Sequence, residues 1–125
     1  MRLGICTIQR DRGRWLKEWT AFHHAVGFRK FYIFLHRCQD DSEQIVRDLQ
    51  RHFDIQCFVL GADVHRPQLA AYQYAYQNYG HEIDWMAFID GDEFLFPTVE
   101  DDLRVAMQRY HYEKVSALGD RKSVV

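Results

Sequence analysis

Three carboxylates stand side by side in Asp90-Gly91-Asp92-Glu93, between the apolar run Trp85-Met86-Ala87-Phe88-Ile89 and a second one, Phe94-Leu95-Phe96. Ionised carboxylates are costly to strip of water, so a cluster at the mouth of a core strand implies a counter-charge to meet it. Asp-x-Asp in that position suits a divalent cation, and a cation so placed commonly carries a phosphorylated ligand. The triplet alone is weak evidence: with twelve Asp in 125 residues, roughly one Asp-x-Asp arises by composition. Its place at the end of a strand-like run carries the weight. The competing reading is a solvated acidic turn between two strands.

The elements that must position this turn alternate along the chain. Residues 3–8 read as a first strand. A helix over 14–26 follows, with Trp15, Trp19, Phe22 and Val26 on its inner face and Gly27 at its C-terminal end. Residues 31–35 form a second strand. Asp40, Asp41 and Ser42 then offer N-caps to a helix whose inner face is Ile45, Leu49 and Phe53. Residues 55–60 are a third strand. Pro67 opens a helix to Gly80, with Leu69, Tyr72, Tyr76 and Tyr79 along its core side and Tyr74 on another face. Residues 85–89 are the fourth strand. Thr98-x-x-Asp101 is the expected cap of a last helix carrying Val99, Leu103, Met107 and Tyr110, and a weak fifth strand begins near Val115.

Strands alternating with helices predict an α/β fold, an open, mostly parallel sheet with flanking helices and right-handed crossovers. The carboxyl ends of parallel strands share one edge, where such sheets bind ligands. That edge collects Arg10 and Asp11, then residues 36–41, then 63–66, then 90–93. Carboxylates for a cation and Arg for phosphate oxygens are what a metal-bridged diphosphate requires.

Composition narrows the class. Apolar residues at 47% and aromatics at 15% suffice for a real core in a single domain. A net charge of −2 with mixed signs leaves no basic footprint for nucleic acid. Cys6, Cys38 and Cys57 show neither zinc spacing nor a disulfide framework, which fits a reducing compartment. The run 3–8 is too short for a signal-peptide core or a transmembrane span. The expectation is a cytoplasmic domain, with peripheral attachment to a membrane left open.

Two segments resemble glycosyltransferases of families 2 and 92. In the helix pattern, Leu16, Glu18, Trp19, His23 or His24, and Gly27 match; in the second, Asp90, Asp92, Glu93 and Phe94 match. Asp40-Asp41-Ser42 and Pro67-Gln68-Leu69-Ala70-Ala71-Tyr72 fit the stretches between. The resemblance covers about residues 3–118. It implies a GT-A type, Rossmann-like fold that transfers a sugar from a nucleotide-diphosphate sugar to a glycan, lipid or protein. It also implies donor binding by Arg10, Asp11, Asp41, Gln68 and Asp90, with Mn²⁺ or Mg²⁺ held by Asp90 and Asp92. The chain departs from the pattern at Leu35-His36, where many relatives carry Asp or Asn. Catalytic residues are not assigned, because the acceptor half that supplies the base in relatives is not matched here.

Several features keep an ordinary reading. His23 and His24 are neighbours on a helix and read as packing or capping residues. Glu93 is either a ligand or a backbone contact. A Mg²⁺-binding receiver-like domain would need an acidic pair after the first strand and a Lys after the last; only Asp11 and a poorly placed Lys114 are available. A phosphatase would need Asp-x-Asp after its first strand. A non-catalytic interaction module is the third alternative. Asp120-Arg121-Lys122-Ser123-Val124-Val125 matches the in-frame translation of a widely used sequencing adapter. The expectation is therefore a partial GT-A domain over 1–119 and a non-native tail over 120–125.

Overall fold

The structure, a computed structural model, describes residues 1–112. Strands β1 (Leu3–Gln9), β2 (Lys30–His36), β3 (Asp54–Leu60) and β4 (Trp85–Phe88) form one sheet in the order β3-β2-β1-β4. All three pairings are parallel; Ile5 lies between Phe31 of β2 and Ala87 of β4. Helices α1 (Gly13–Ala25), α2 (Ser42–Leu49), α3 (Pro67–Tyr79) and α4 (Leu103–Tyr112) alternate with the strands, and a 3₁₀ turn, Gly80–Glu82, follows α3. The expected parallel α/β sheet is therefore present. The proposed strand near Val115 and the tail over 120–125 lie outside the described residues.

Side chains alternate across a strand, and this sheet uses both faces. Leu3, Ile5, Phe31, Ile33, Leu35 and Ile55 face α1, α2 and α4 in one apolar cluster. Cys6, Tyr32 and Phe34 face the other way, against Ala71 and Ala75 of α3. Burial on both faces explains why the inner strands read as continuous apolar runs rather than alternating ones.

The helices turn the expected faces inward in part: Trp19, Val26, Ile45, Leu49, Phe53, Tyr72 and Tyr79 reach the core, and Trp15, Leu69 and Tyr76 do not. On α1 the buried residues are Gly13, Leu16, Trp19, Thr20 and His23, while Trp15 is exposed. Full burial of a side chain such as Leu16 is worth roughly 1.5–3 kcal/mol. On α3, Ala71 and Ala75 touch the sheet, Tyr72 and Tyr79 pack beside them, and Leu69 and Tyr76 are exposed. On α2 the buried apolar residues are Val46 and Leu49; Ile45 and Phe53 are partly buried against the same core. Asp41 precedes α2 without a side-chain cap; Asp40 supplies the acceptor instead, through Oδ1 to the Ser42 N–H. The last helix begins later than Thr98-x-x-Asp101 implies. Asp102 Oδ1 accepts the Arg104 N–H, and the Leu103 N–H donates to Val26 O at 2.6 Å, so contact with the end of α1 sets its start. Gly27 closes that junction at φ +127, with Asp102 Oδ1 2.6 Å from where a Cβ would stand.

Candidate functional site

The inward positions of β1 change character along the strand. Leu3 and Ile5 are apolar, Thr7 and Gln9 are polar, and all four are buried. Gln9 Nε2 donates to Thr7 Oγ1 at 3.2 Å, and Gly91 of the acidic turn lies against the same amide. A Cβ on residue 91 would stand 2.6 Å from Gln9 Cδ, so any larger residue in the middle of Asp-x-Asp requires the Gln9 side chain to move.

The turn itself is tied at both ends. The Glu93 N–H donates to Asp90 O at 3.1 Å, and the Asp90 N–H donates to Glu93 Oε1 at 2.9 Å. Glu93 is thus a backbone contact, one of the two roles open to it. Asp90 and Asp92 are exposed. Asp90 Oδ1 accepts a hydrogen bond from Gln68 Nε2, in the first turn of α3, at 3.1 Å, and that amide also reaches Tyr72 Oη. Two of the expected donor-binding residues, Gln68 and Asp90, are therefore in contact. Burial, and after it the nearby Asp90 and Glu93 charges, raise the Tyr72 hydroxyl above its ordinary range, while the Gln68 bond opposes the rise.

A second acidic group lies after β1 and β2. Asp11 Oδ1 accepts the Gln39 N–H at 2.6 Å and the Asp40 N–H at 3.1 Å. Asp40 Oδ2 accepts the Gly13 N–H at 2.9 Å, and Asp40 Oδ1 accepts both the N–H and the hydroxyl of Ser42. The Ser42 hydroxyl, then the Gly13 and Ser42 amides, hold the Asp40 carboxyl below the usual range against a smaller opposing effect of burial. Cys38 Sγ joins the group, and ligand atoms of Asp11, Cys38 and Asp40 all lie within 4.8 Å of one another. Asp40 thus serves backbone N–H groups at the starts of two helices, and Asp11 serves the loop that leads into the second. Of the other expected residues, Arg10 is exposed at the end of β1, and Asp41 is exposed just before α2.

Arg37 joins the next loop, donating from Nε and Nη2 to Ala62 O at 3.2 and 2.7 Å. Burial, then the charges of Arg37 and Arg10, lower the pKa of His36 at the end of β2. Asp11, Arg37 and Arg66 have φ of 52°, 54° and 50°, one in each loop after β1, β2 and β3. Left-handed backbone at residues other than glycine costs energy and gathers at functional edges. Here it gathers on the edge predicted to bind ligand.

Three residues missed as site residues support the turn from below. Gln9 is one. Trp19 donates from Nε1 to Glu93 O at 2.9 Å, and the Leu95 N–H donates to His23 Nε2 at 3.1 Å. His23, expected as a packing or capping residue, is buried among the rings of Trp19, Phe22, Phe28 and Phe94.

The sequence model of glycosyltransferase family 92 matches residues 3–122. A glycosyltransferase family 92 protein of Ricinus communis is 31% identical over 91 residues, 72% of this chain and 16% of the relative. One of Oryza sativa subsp. japonica is 27% identical over 105 residues, 80% of this chain and 18% of the relative. The chain thus spans about a sixth of the length of the curated relatives it matches. Residues 1–349 of S. aureus TarS superpose with a TM-score of 0.65 at 13% identity, over 89% of this chain and 33% of that solved chain. The TarS complex with UDP-GlcNAc gives 0.62, also at 13% identity, over 89% of this chain and 32% of that solved chain. The likeness to TarS is one of fold.

Proposed function

The chain belongs to glycosyltransferase family 92, and on that premise we propose that its sheet edge binds a nucleotide-diphosphate sugar donor. The observation that carries the reading is the turn 90–93, which presents two exposed carboxylates at the carboxyl end of a parallel strand with Gln68 bonded to the first. A neighbour in fold, TarS, has been solved with UDP-GlcNAc, which supports a uridine diphosphate sugar as the ligand class.

Asp90 and Asp92 offer hard, exposed oxygen donors, the set that Mg²⁺ and Mn²⁺ prefer. Such an ion would supply positive charge to a departing diphosphate. The chain's own contributions are binding and orientation. Gln68 fixes Asp90, Glu93 shapes the turn, and Arg10, exposed at the end of β1, is the residue we assign to phosphate oxygens. Asp11 and Asp41 border the donor on the β1 and β2 side. Transfer to a glycan, lipid or protein acceptor is proposed for the whole protein, of which relatives carry several times this length.

Calorimetric titration with UDP and UDP-sugars, in Mn²⁺ or in EDTA, tests the reading. Binding that EDTA abolishes and that Asp90→Asn and Asp92→Asn each weaken tenfold or more is the expected result, since hydrogen bonds and contacts to charged groups are worth roughly 1.5–3 kcal/mol. Equal binding with and without metal, or in both variants, would refute it.

A further inference from the structure

We propose that Trp19 and His23 are positioning residues through which helix α1 holds the acidic turn in the shape its ligand meets. The inference rests on the donor-binding reading above and adds residues to it. Three successive residues after Asp92 are gripped by α1. The Glu93 carbonyl accepts the Trp19 indole N–H. The Phe94 ring stacks on His23, with centroids 5.6 Å apart and planes 12° apart. The Leu95 N–H donates to His23 Nε2.

His23 meets both its partners in one tautomer. A backbone N–H can only donate, so Nε2 must be unprotonated; the proton then sits on Nδ1, which faces Trp19 O at 2.8 Å. Apolar residues of similar size would fill this space in a plain core. Instead, an indole N–H and an imidazole nitrogen, on side chains no more than 1% exposed, are aimed at the backbone of a single segment.

Glu93 connects that grip to the ligand residues. Its carbonyl is held by Trp19 while its carboxylate accepts the Asp90 N–H. Gly91, seated on Gln9, fixes the other side. The position of Asp90 and Asp92 is therefore set from α1 and β1, and Trp19 and His23, buried beneath the turn, act through its backbone.

His23→Leu and Trp19→Phe remove the two hydrogen bonds and keep most of the bulk; His23→Gln returns an acceptor for the Leu95 N–H. Two quantities would be measured on the whole chain at pH 7.5, after thermal melting has shown the variants folded: amide exchange over residues 90–95 and calorimetric affinity for Mg²⁺–UDP. His23→Leu and Trp19→Phe are expected to speed exchange at 90–95 relative to β1 and β2, and to weaken Mg²⁺–UDP, by roughly fivefold or more each, the worth of one lost hydrogen bond. His23→Gln is expected to recover most of both. Exchange at 90–95 that is unchanged in both variants would overturn the inference, and so would faster exchange with unaltered affinity. If His23→Leu does not fold, Trp19→Phe and His23→Gln decide by the same two readouts. Wild-type protein that never binds Mg²⁺–UDP would sink the donor reading, while the exchange measurement would still decide whether α1 holds the turn.

Discussion

Acidification should loosen this domain through His23 before it touches the carboxylates. The imidazole is buried among four aromatic rings, and burial, opposed by its bond to Trp19 O, brings its pKa from the ordinary 6.5 down to about 4. The unfolded chain therefore takes up a proton at this residue below pH 6.5, and the folded chain does not until near pH 4. Because stability rises with pH wherever the unfolded state binds more protons, the contribution is complete above pH 6.5 and shrinks as pH falls from 6.5 towards 4. At about 1.4 kcal/mol per pH unit, the linkage amounts to about 2 kcal/mol lost at pH 5 and about 3 kcal/mol once both states are protonated. Urea unfolding of wild type and His23→Gln at pH 7.5 and pH 5.0 isolates this share, since the other histidines contribute alike to both proteins. Wild type should lose about 2 kcal/mol more than the variant between the two conditions. Equal losses would show that His23 is not held neutral by its surroundings, and the tautomer argument would fail with it.

Gly91→Ala places a methyl group against the buried Gln9 amide and should cost about 1–3 kcal/mol by overpacking. Gln9→Ala makes room, so in urea titrations the double variant should recover about 1 kcal/mol or more relative to the sum of the singles; strict additivity would mean the two residues do not meet. Asp40→Ala removes the acceptor serving Gly13 and Ser42 and should destabilise by about 1 kcal/mol, as loss of a helix cap does. Because the Asp40 pKa is lowered in the fold, that contribution is present above the ordinary value and fades as pH falls below it, so unfolding curves of wild type and Asp40→Ala should converge in acid. A separation that does not narrow as the protein is acidified would contradict the assignment.

The strands were legible because a parallel strand buried on both faces leaves an unbroken apolar run; β2, expected over 31–35, spans Lys30–His36. Helix faces were less legible. Periodicity read by side-chain size favours Trp15 and Tyr76, but close approach of a helix to a sheet is set by small residues, here Ala71 and Ala75, with the tyrosines flanking. The start of α4 depends on Val26, far away in sequence, and no local cap pattern contains it. The Gln68–Asp90 contact joins two residues named from family patterns, yet their pairing spans 22 positions. Gln9, Trp19 and His23 act through partners about 70 to 80 residues away, so periodicity could place them in the core but could not say what they hold.

The two acidic centres on this edge are chemically different despite similar composition. Every helix start exposes N–H groups that need acceptors. In a parallel sheet those starts crowd the same edge that binds ligand. Asp40 answers that need, receiving the N–H groups of Gly13 and Ser42, while Asp11 receives those of Gln39 and Asp40 in the loop before α2. A cation arriving there would have to compete with those amides, even though Asp11, Cys38 and Asp40 are close enough to share one. In the turn after β4, the same task falls to Glu93, whose carboxylate accepts the Asp90 N–H. Asp90 and Asp92 are thereby relieved of it, and both are exposed. An acidic residue on such an edge is available to a ligand only when another group satisfies the local backbone. Asp11 and Asp40 thus brace the loops after β1 and β2, while the Asp90 and Asp92 side chains stay exposed in the turn beside them.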